Sequence, residues 1–268
     1  MTLKFTILGC GSSGGVPRPA LGWGECDPSN PKNRRRRTSF LVERHSGAGI
    51  TRVLVDTSPD LREQLLDADV DWLDGVLYTH DHADHTHGID DLRALFMKRR
   101  RRVDVYLDQR TSDIVRTRFG YCFEAPPGSE YPPIVQEHRL SAGTPVTIQG
   151  EGGTITALPV LQEHGDIASL GFRFGNVGYS CDVSGLPPES IVTLANLDVW
   201  ILDALRYRPH PSHLSLDDAL KWIERLKPRR AILTNLHSDL DYEIIRGKVP
   251  VNVVPAFDGM SFSVSDSP

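Results

Sequence analysis

Thr79-His80-Asp81-His82-Ala83-Asp84-His85 gathers four candidate metal ligands, His80, His82, Asp84 and His85, at the end of an apolar run, Trp72-Leu73-Asp74-Gly75-Val76-Leu77-Tyr78. A run of that composition reads as a buried strand, so the ligands sit where the strand ends and the chain turns. His80 and His82, two residues apart, project to one side of an extended chain. Asp84 and His85 lie just beyond, close enough to hold a second ion beside the first. Imidazole and carboxylate donors suit Zn, Mn or Fe rather than Ca, and they leave positions open for water and substrate.

Three later strand-like runs end on the same residue types. Ile155-Thr156-Ala157-Leu158-Pro159-Val160 precedes His164, Gly178-Tyr179-Ser180-Cys181 leads into Asp182, and Ala231-Ile232-Leu233-Thr234 precedes His237. With His164, Asp182 and His237 behind it in that order, H-x-H-x-D-H resembles the metal-binding signature of the metallo-β-lactamase superfamily. The resemblance implies an α/β fold, a four-layer αβ/βα sandwich with two divalent metal ions, Mn or Zn, at one edge between the sheets. It assigns His80, His82 and His164 to one ion and Asp84, His85 and His237 to the other, with Asp182 bridging. All seven ligands are N or O donors, which leaves Mn as plausible as Zn. Cys181, next to Asp182, would face away from the ions if its segment is extended.

Other segments narrow the resemblance to the phosphoribosyl cyclic phosphate phosphodiesterases of the carbon–phosphorus lyase pathway and their bacterial relatives. They are the opening Gly-Ser-Gly loop, the strand end at Asp56, Asp91-Leu92-Arg93, the segment around His213, and Phe257-Asp258-Gly259-Met260. Together they extend over nearly the whole chain. Two departures stand out. That family carries a structural zinc held by three cysteines and a histidine. Here only Cys26 remains, and Ser238 takes the histidine position, so no structural zinc is expected. The family also has a histidine directly after the Leu-Thr pair, where this chain has Asn235. His237 is the expected ligand, with Asn235 as an alternative weak oxygen donor.

The 268 residues suit one domain spanning 1–268, since no Pro/Gly/Ser-rich linker divides the chain. A hydrophobic fraction of 39% fits a globular protein. No apolar run approaches the roughly 20 residues of a membrane helix, so no membrane partner is expected. The chain begins directly on a strand, and Cys10, Cys26, Cys122 and Cys181 lack paired spacing. Both point to a cytoplasmic protein with reduced thiols. A net charge of −5 gives no general pull toward nucleic acid, although residues 34–37 and 98–102 are dense basic runs.

Strands are expected at residues 3–8, 38–44, 51–56, 74–79, 103–107, 145–149, 154–160, 170–174, 177–180, 198–203, 230–234 and 252–255. Helices are expected at 60–68, 88–100, 110–118, 188–195, 215–226 and 240–247, the fifth opened by the N-cap Ser215. The segment 119–134, with four prolines and several aromatics, offers a lid or a homodimer contact, or is an ordinary surface excursion.

For function, the resemblance implies attack on phosphorus by a hydroxide shared between the ions. His213 is the candidate general acid, and Asp84 is counted with the catalytic residues as well as the ligands. Ser12, Ser13 and Gly14 in the first loop, with Arg93 and Arg206, would hold the remaining phosphoryl oxygens. The expected substrate is a small cyclic or nucleotide-type phosphodiester. An RNA-processing nuclease is disfavoured, because no long Gly/Pro-rich arm is present. A carboxylic ester, thioester or lactone hydrolase and a non-catalytic nucleotide-binding metalloprotein stay open.

Overall fold

A computed structural model describes residues 2–265. The strands are β1 (Thr2–Gly9), β2 (Ser39–Ser46), β3 (Gly49–Val55), β4 (Gly75–Leu77), β5 (Val103–Leu107), β6 (Val135–Arg139), β7 (Val146–Gly150), β8 (Gly153–His164), β9 (Ile167–Phe174), β10 (Val177–Ser180), β11 (Val199–Asp203), β12 (Arg230–Thr234), β13 (Val253–Pro255) and β14 (Met260–Ser265). Two seven-stranded sheets result, ordered β14-β1-β2-β3-β4-β5-β6 and β13-β12-β11-β10-β9-β8-β7. Each is half antiparallel and half parallel: β3 to β6 run parallel in the first, β10 to β13 in the second.

Parallel neighbours need crossovers, and helices supply most of them. The helices are α1 (Leu61–Asp67), α2 (Ala83–Thr86), α3 (Leu92–Arg99), α4 (Gln109–Phe123), α5 (Pro188–Thr193), α6 (Leu216–Leu226) and α7 (Tyr242–Lys248). Ser215 caps α6 as expected, its hydroxyl accepting from the Asp218 amide.

Residue alternation assigns each strand face to a layer. Phe5 and Ile7 of β1, Phe40 and Val42 of β2, and Val53 and Val55 of β3 enter one cluster with Phe172, Phe174 and Tyr179 from the other sheet. Leu8, Leu41 and Leu54, from the opposite faces, pack with Leu61, Leu65 and Leu92 beneath the helices. Across the molecule, Leu202 and Leu233 pack with Ala219 and Ile223 of α6. The order is therefore helices, sheet, sheet, helices, the four-layer sandwich expected. Phe40 stacks flat on Tyr179 at 4.6 Å between ring centroids, tying the two sheets together. Such pairs contribute about 0.5–1.5 kcal/mol beyond their buried area.

Two strands were not anticipated, and both lie on sheet edges. In β6 only Val135 is buried, so its polar composition hides it. β14 alternates Met260, Phe262 and Val264 with serines, a half-buried edge pattern. The 119–134 segment is divided: Phe119 to Phe123 close α4 past a kink at Phe119, Ile134 is buried, and the residues between are largely exposed. Among the described residues, no helix is long and apolar enough to cross a membrane.

β8, β10, β11 and β12 run in one direction, so their C-terminal ends share one edge of the second sheet. The Leu170 amide donates to the Thr79 carbonyl at 2.9 Å and brings the end of β4 to the same edge.

Candidate metal centre

The strand ends deliver their polar residues to one point. His80 and His82 follow β4, His164 ends β8, Asp182 follows β10, Asp203 ends β11 and Asn235 follows β12. Asp182 lies at the centre. Its Oδ2 is 3.6 Å from His80 Nε2, 3.4 Å from His85 Nε2, 3.5 Å from His164 Nε2 and 3.9 Å from His213 Nε2. Candidate donor atoms of His80, His82, His164 and Asp182 all lie within 4.8 Å of one another. Asp84 Oδ2 comes within 3.5 Å of His85 Nε2 on the other side. Of the seven expected ligands, six are thus gathered.

The imidazoles are held from behind. The Thr79 hydroxyl is 2.9 Å from His80 Nδ1, the buried Asp56 carboxylate takes His85 Nδ1 at 2.7 Å, and the Ser212 carbonyl takes His164 Nδ1 at 2.6 Å. The Thr79 amide and hydroxyl both donate to Asp56 at 2.8 Å. Fixing one ring nitrogen by a hydrogen bond presents the other as a lone pair, the usual support of a metal-bound histidine. His80 Nε2 and His85 Nε2 are buried and without a hydrogen-bond partner among the described residues. Two orphaned imidazole nitrogens converging on a carboxylate suit a divalent cation, so the residues fit the metal.

The electrostatics agree. Burial and the neighbouring imidazole of His85 push His80 far below the usual histidine range, leaving it neutral. Burial opposes charge on His85 too, but Asp182, Asp84 and Asp56 around it lift it well above that range. The carboxylate surplus around His85 attracts positive charge.

His213 lies between β11 and α6 as expected, and its Nδ1 is 2.9 Å from Asp203 Oδ2. Asp203 is fully buried and also accepts from the Val183 amide at 3.1 Å. Burial works against a charge on His213, but its bond to Asp203 and the nearby Asp182 hold it above the usual histidine range. His210, the neighbouring histidine, is 5.1 Å away between ring centroids.

His237 is the ligand that the structure does not bring in. Its Nδ1 pairs with Asp239 at 3.0 Å, and its side chain is 24% exposed. The inward position belongs to Asn235, whose Nδ2 lies 3.0 Å from Asp182 Oδ1 and 3.2 Å from Asp203 Oδ1. The cause is local. Asn235 has a left-handed backbone (φ 60°), so the chain turns immediately after β12 instead of continuing extended. Cys181 departs from expectation similarly. Its thiol donates to Asp182 Oδ1 at 3.1 Å and lies in one cluster with His85, because Asp182 (φ 52°) also turns the chain.

The expected phosphoryl contacts are engaged elsewhere. Ser12 is buried and accepts from Arg18 Nη2 at 3.1 Å, and its amide and those of Gly11 and Gly15 donate to backbone carbonyls. Ser13 is exposed, and Gly14 lies against the Arg18 side chain. Arg93 pairs with Asp90 at 2.7 Å, and Arg206 donates to the Arg208 and Pro209 carbonyls of its own loop. Much of the basic runs is structural as well. Arg36 pairs with Asp67 and Asp258, Arg37 with Asp60, and Lys98 with Asp71, while Arg99 and Arg101 cover the Trp72 ring.

Sequence reasoning assigned no role to Asp56 and Asp203. Each is a buried carboxylate closing an apolar strand, Val53-Leu54-Val55-Asp56 and Trp200-Ile201-Leu202-Asp203. That pattern is the signal that could have found them.

A family model described as the beta-lactamase superfamily domain matches residues 51–235. The chain belongs to the beta-lactamase superfamily. The superfamily match takes in the clustered residues from Asp56 to Asn235, and it stops short of His237. A solved structure described as a new diphosphatase from the PhnP family is 34% identical, covers 98% of each chain and superposes with a TM-score of 0.88. The protein thus has the metallo-β-lactamase fold and is related to that family. The metallo-beta-lactamase fold protein YhfI from Bacillus subtilis is 17% identical, with a TM-score of 0.71 over 98% of this chain and all of that one, and shares the fold. A curated protein of Porphyromonas gingivalis (strain ATCC BAA-308 / W83), named octanoyltransferase, is 30% identical over 98% of this chain. This chain spans about half of that relative's length, 52%.

Proposed function

We propose that the protein is a dinuclear metal-dependent phosphodiesterase acting on a small cyclic or nucleotide-type phosphodiester. The observation that carries this reading is His213, oriented by buried Asp203 and aimed at Asp182 in the middle of the ligand cluster. Asp203 accepts from Nδ1–H and favours the doubly protonated ring, so an Nε2–H faces the reaction space. The relative described as a diphosphatase supports phosphorus, rather than a carboxyl carbon, as the atom attacked.

His80, His82, His164 and Asp182 would hold one divalent ion, Zn or Mn, and His85, Asp84 and Asp182 the other. When bound, the ions supply Lewis acidity and lower the pKa of water. His213 gives its Nε2 proton to the departing oxygen as the P–O bond breaks and is reprotonated from water. The net reaction adds water across one P–O bond, its oxygen going to phosphorus. Asp84, 3.5 Å from His85, would serve as a ligand of the second ion.

His213→Ala in metal-loaded protein tests the reading with bis-p-nitrophenyl phosphate and p-nitrophenyl acetate as substrates. Phosphodiester turnover should fall about 10²–10⁴-fold, the usual contribution of a positioned acid, with bound metal unchanged. Unchanged phosphodiester turnover, or an ester hydrolysed faster than the phosphodiester by wild type, would overturn it.

The two metal positions are unequal in this account. The first has three imidazoles and a carboxylate, whereas the second has one imidazole, two carboxylates and at most the weak oxygen of Asn235. Dialysis against a mild chelator should therefore leave one ion per chain, and Asn235→His should retain two, measured as metal content by mass spectrometry. Two ions held equally by wild type would contradict this.

A further inference from the structure

A cleft of about 520 Å³ opens beside His213, between the loop that follows β11 and helix α6. Its loop wall is formed by His210, His213 and Leu214, and its helix wall by Lys221, Trp222 and Arg225. The volume falls within the roughly 300–1,000 Å³ of small-molecule sites. A row of imidazoles leads to it from the cluster: His82 to His164 at 5.0 Å, His164 to His213 at 4.7 Å, and His213 to His210 at 5.1 Å. His213 therefore belongs to both places. One side of its ring is near Asp182, and the residue also lines the cleft.

We propose that this cleft receives the leaving-group half of the substrate, and that the half it fits is a nucleoside phosphate. The placement rests on the phosphodiesterase reading, in which His213 protonates the departing oxygen. Whatever that oxygen belongs to must extend from His213, and the cleft is the space on that side. The chemistry comes from α6. Trp222 is half-buried against the α6 core, and the Arg225 guanidinium lies 4.9 Å from its ring centroid. An indole and a guanidinium plane together are surfaces on which nucleobases stack. Lys221 and Arg225 bring two positive charges against the single carboxylate of Asp218, which Lys221 approaches at 2.8 Å. The balance favours a ligand carrying negative charge. A sugar phosphate without a base would leave the Trp222 face uncovered, and an uncharged aromatic alcohol would leave a cation unmatched.

Adenosine 5′-monophosphate and ribose 5-phosphate, which share phosphate and ribose and differ in the base, test this as inhibitors of bis-p-nitrophenyl phosphate hydrolysis. The nucleotide should inhibit wild type about tenfold more strongly, the order expected of one stacked base. That ratio should fall to within about twofold in Trp222→Ala and be reduced in Arg225→Ala, an exposed position whose loss leaves the fold intact. Equal inhibition by the two compounds in wild type, or a ratio that survives both variants, would overturn the proposal. Equilibrium dialysis of the nucleotide with metal-loaded protein separates the two readings. Variant-sensitive binding without any phosphodiester turnover would refute the phosphodiesterase and keep the cleft. Turnover without nucleotide preference would refute the cleft alone.

Discussion

Asp182→Ala is expected to strip the centre of both ions and lower phosphodiester turnover about 10³-fold or more. A bound ion contributes several kcal/mol to the barrier, and each 1.36 kcal/mol is a factor of ten. Asp182 is the residue whose loss should matter most, because its Oδ2 lies within 4 Å of four imidazoles. Alanine is also strained at a positive φ, so Asp182→Asn is the companion variant, tolerating that backbone while removing the charge. Both should bind less than one ion per chain. Both should also lose the rise in melting temperature that added metal gives wild type, since an ion stabilises only the state that binds it. Two retained ions with turnover within tenfold of wild type would remove Asp182 from the bridging position.

Arg35→Ala should cost about 3–5 kcal/mol of folding stability, the range seen when a buried cation's network is broken. The Arg35 side chain is 2% exposed and has left the surface run that its neighbours Arg34 and Arg36 occupy. Its guanidinium donates to the carbonyls of Leu240 at 2.7 Å and His237 at 3.1 Å, and to Asn33 Oδ1 at 3.2 Å. It also approaches Cys26 Sγ at 3.8 Å. Asn33 in turn donates to buried Asp241, which supplies the nearby negative charge. One cation thus joins the 26–35 segment to the turn after β12, beside Cys26 and Ser238, where the resemblance puts a structural zinc in other members. Truncation would take this donor from the Leu240 and His237 carbonyls and from Asn33 Oδ1, and loosen the turn carrying Asn235. Urea unfolding at an unchanged m-value measures the loss. A change below 1 kcal/mol would show that the segment is held by other contacts.

Much of this centre was legible because metal chemistry concentrates polar residues where apolar strands end. His80 to His85, His164 and Asp182 each follow an apolar run, and the structure brings them together. The misplacements of His237 and Cys181 have one physical source, the local backbone after a strand. An extended chain would have pointed His237 inward and Cys181 away. Left-handed residues at Asn235 and Asp182 reverse both, and spacing alone does not reveal a positive φ. The four-layer arrangement came from the resemblance, since alternation along β1 to β3 fixes two faces per strand but not what packs on them. In the sequence the basic runs show only as dense positive charge. Their partners, Asp60, Asp67, Asp71 and Asp258, are distant in sequence, so neutralisation is visible only in three dimensions.

The most direct test is metal titration of the stripped protein, with bound ions and bis-p-nitrophenyl phosphate turnover followed together. Turnover should be absent without metal, stay low at one Zn or Mn per chain, and rise to its maximum as the second, weaker position fills. Full turnover at one ion, or two bound ions with no phosphodiester hydrolysis, would contradict the dinuclear phosphodiesterase.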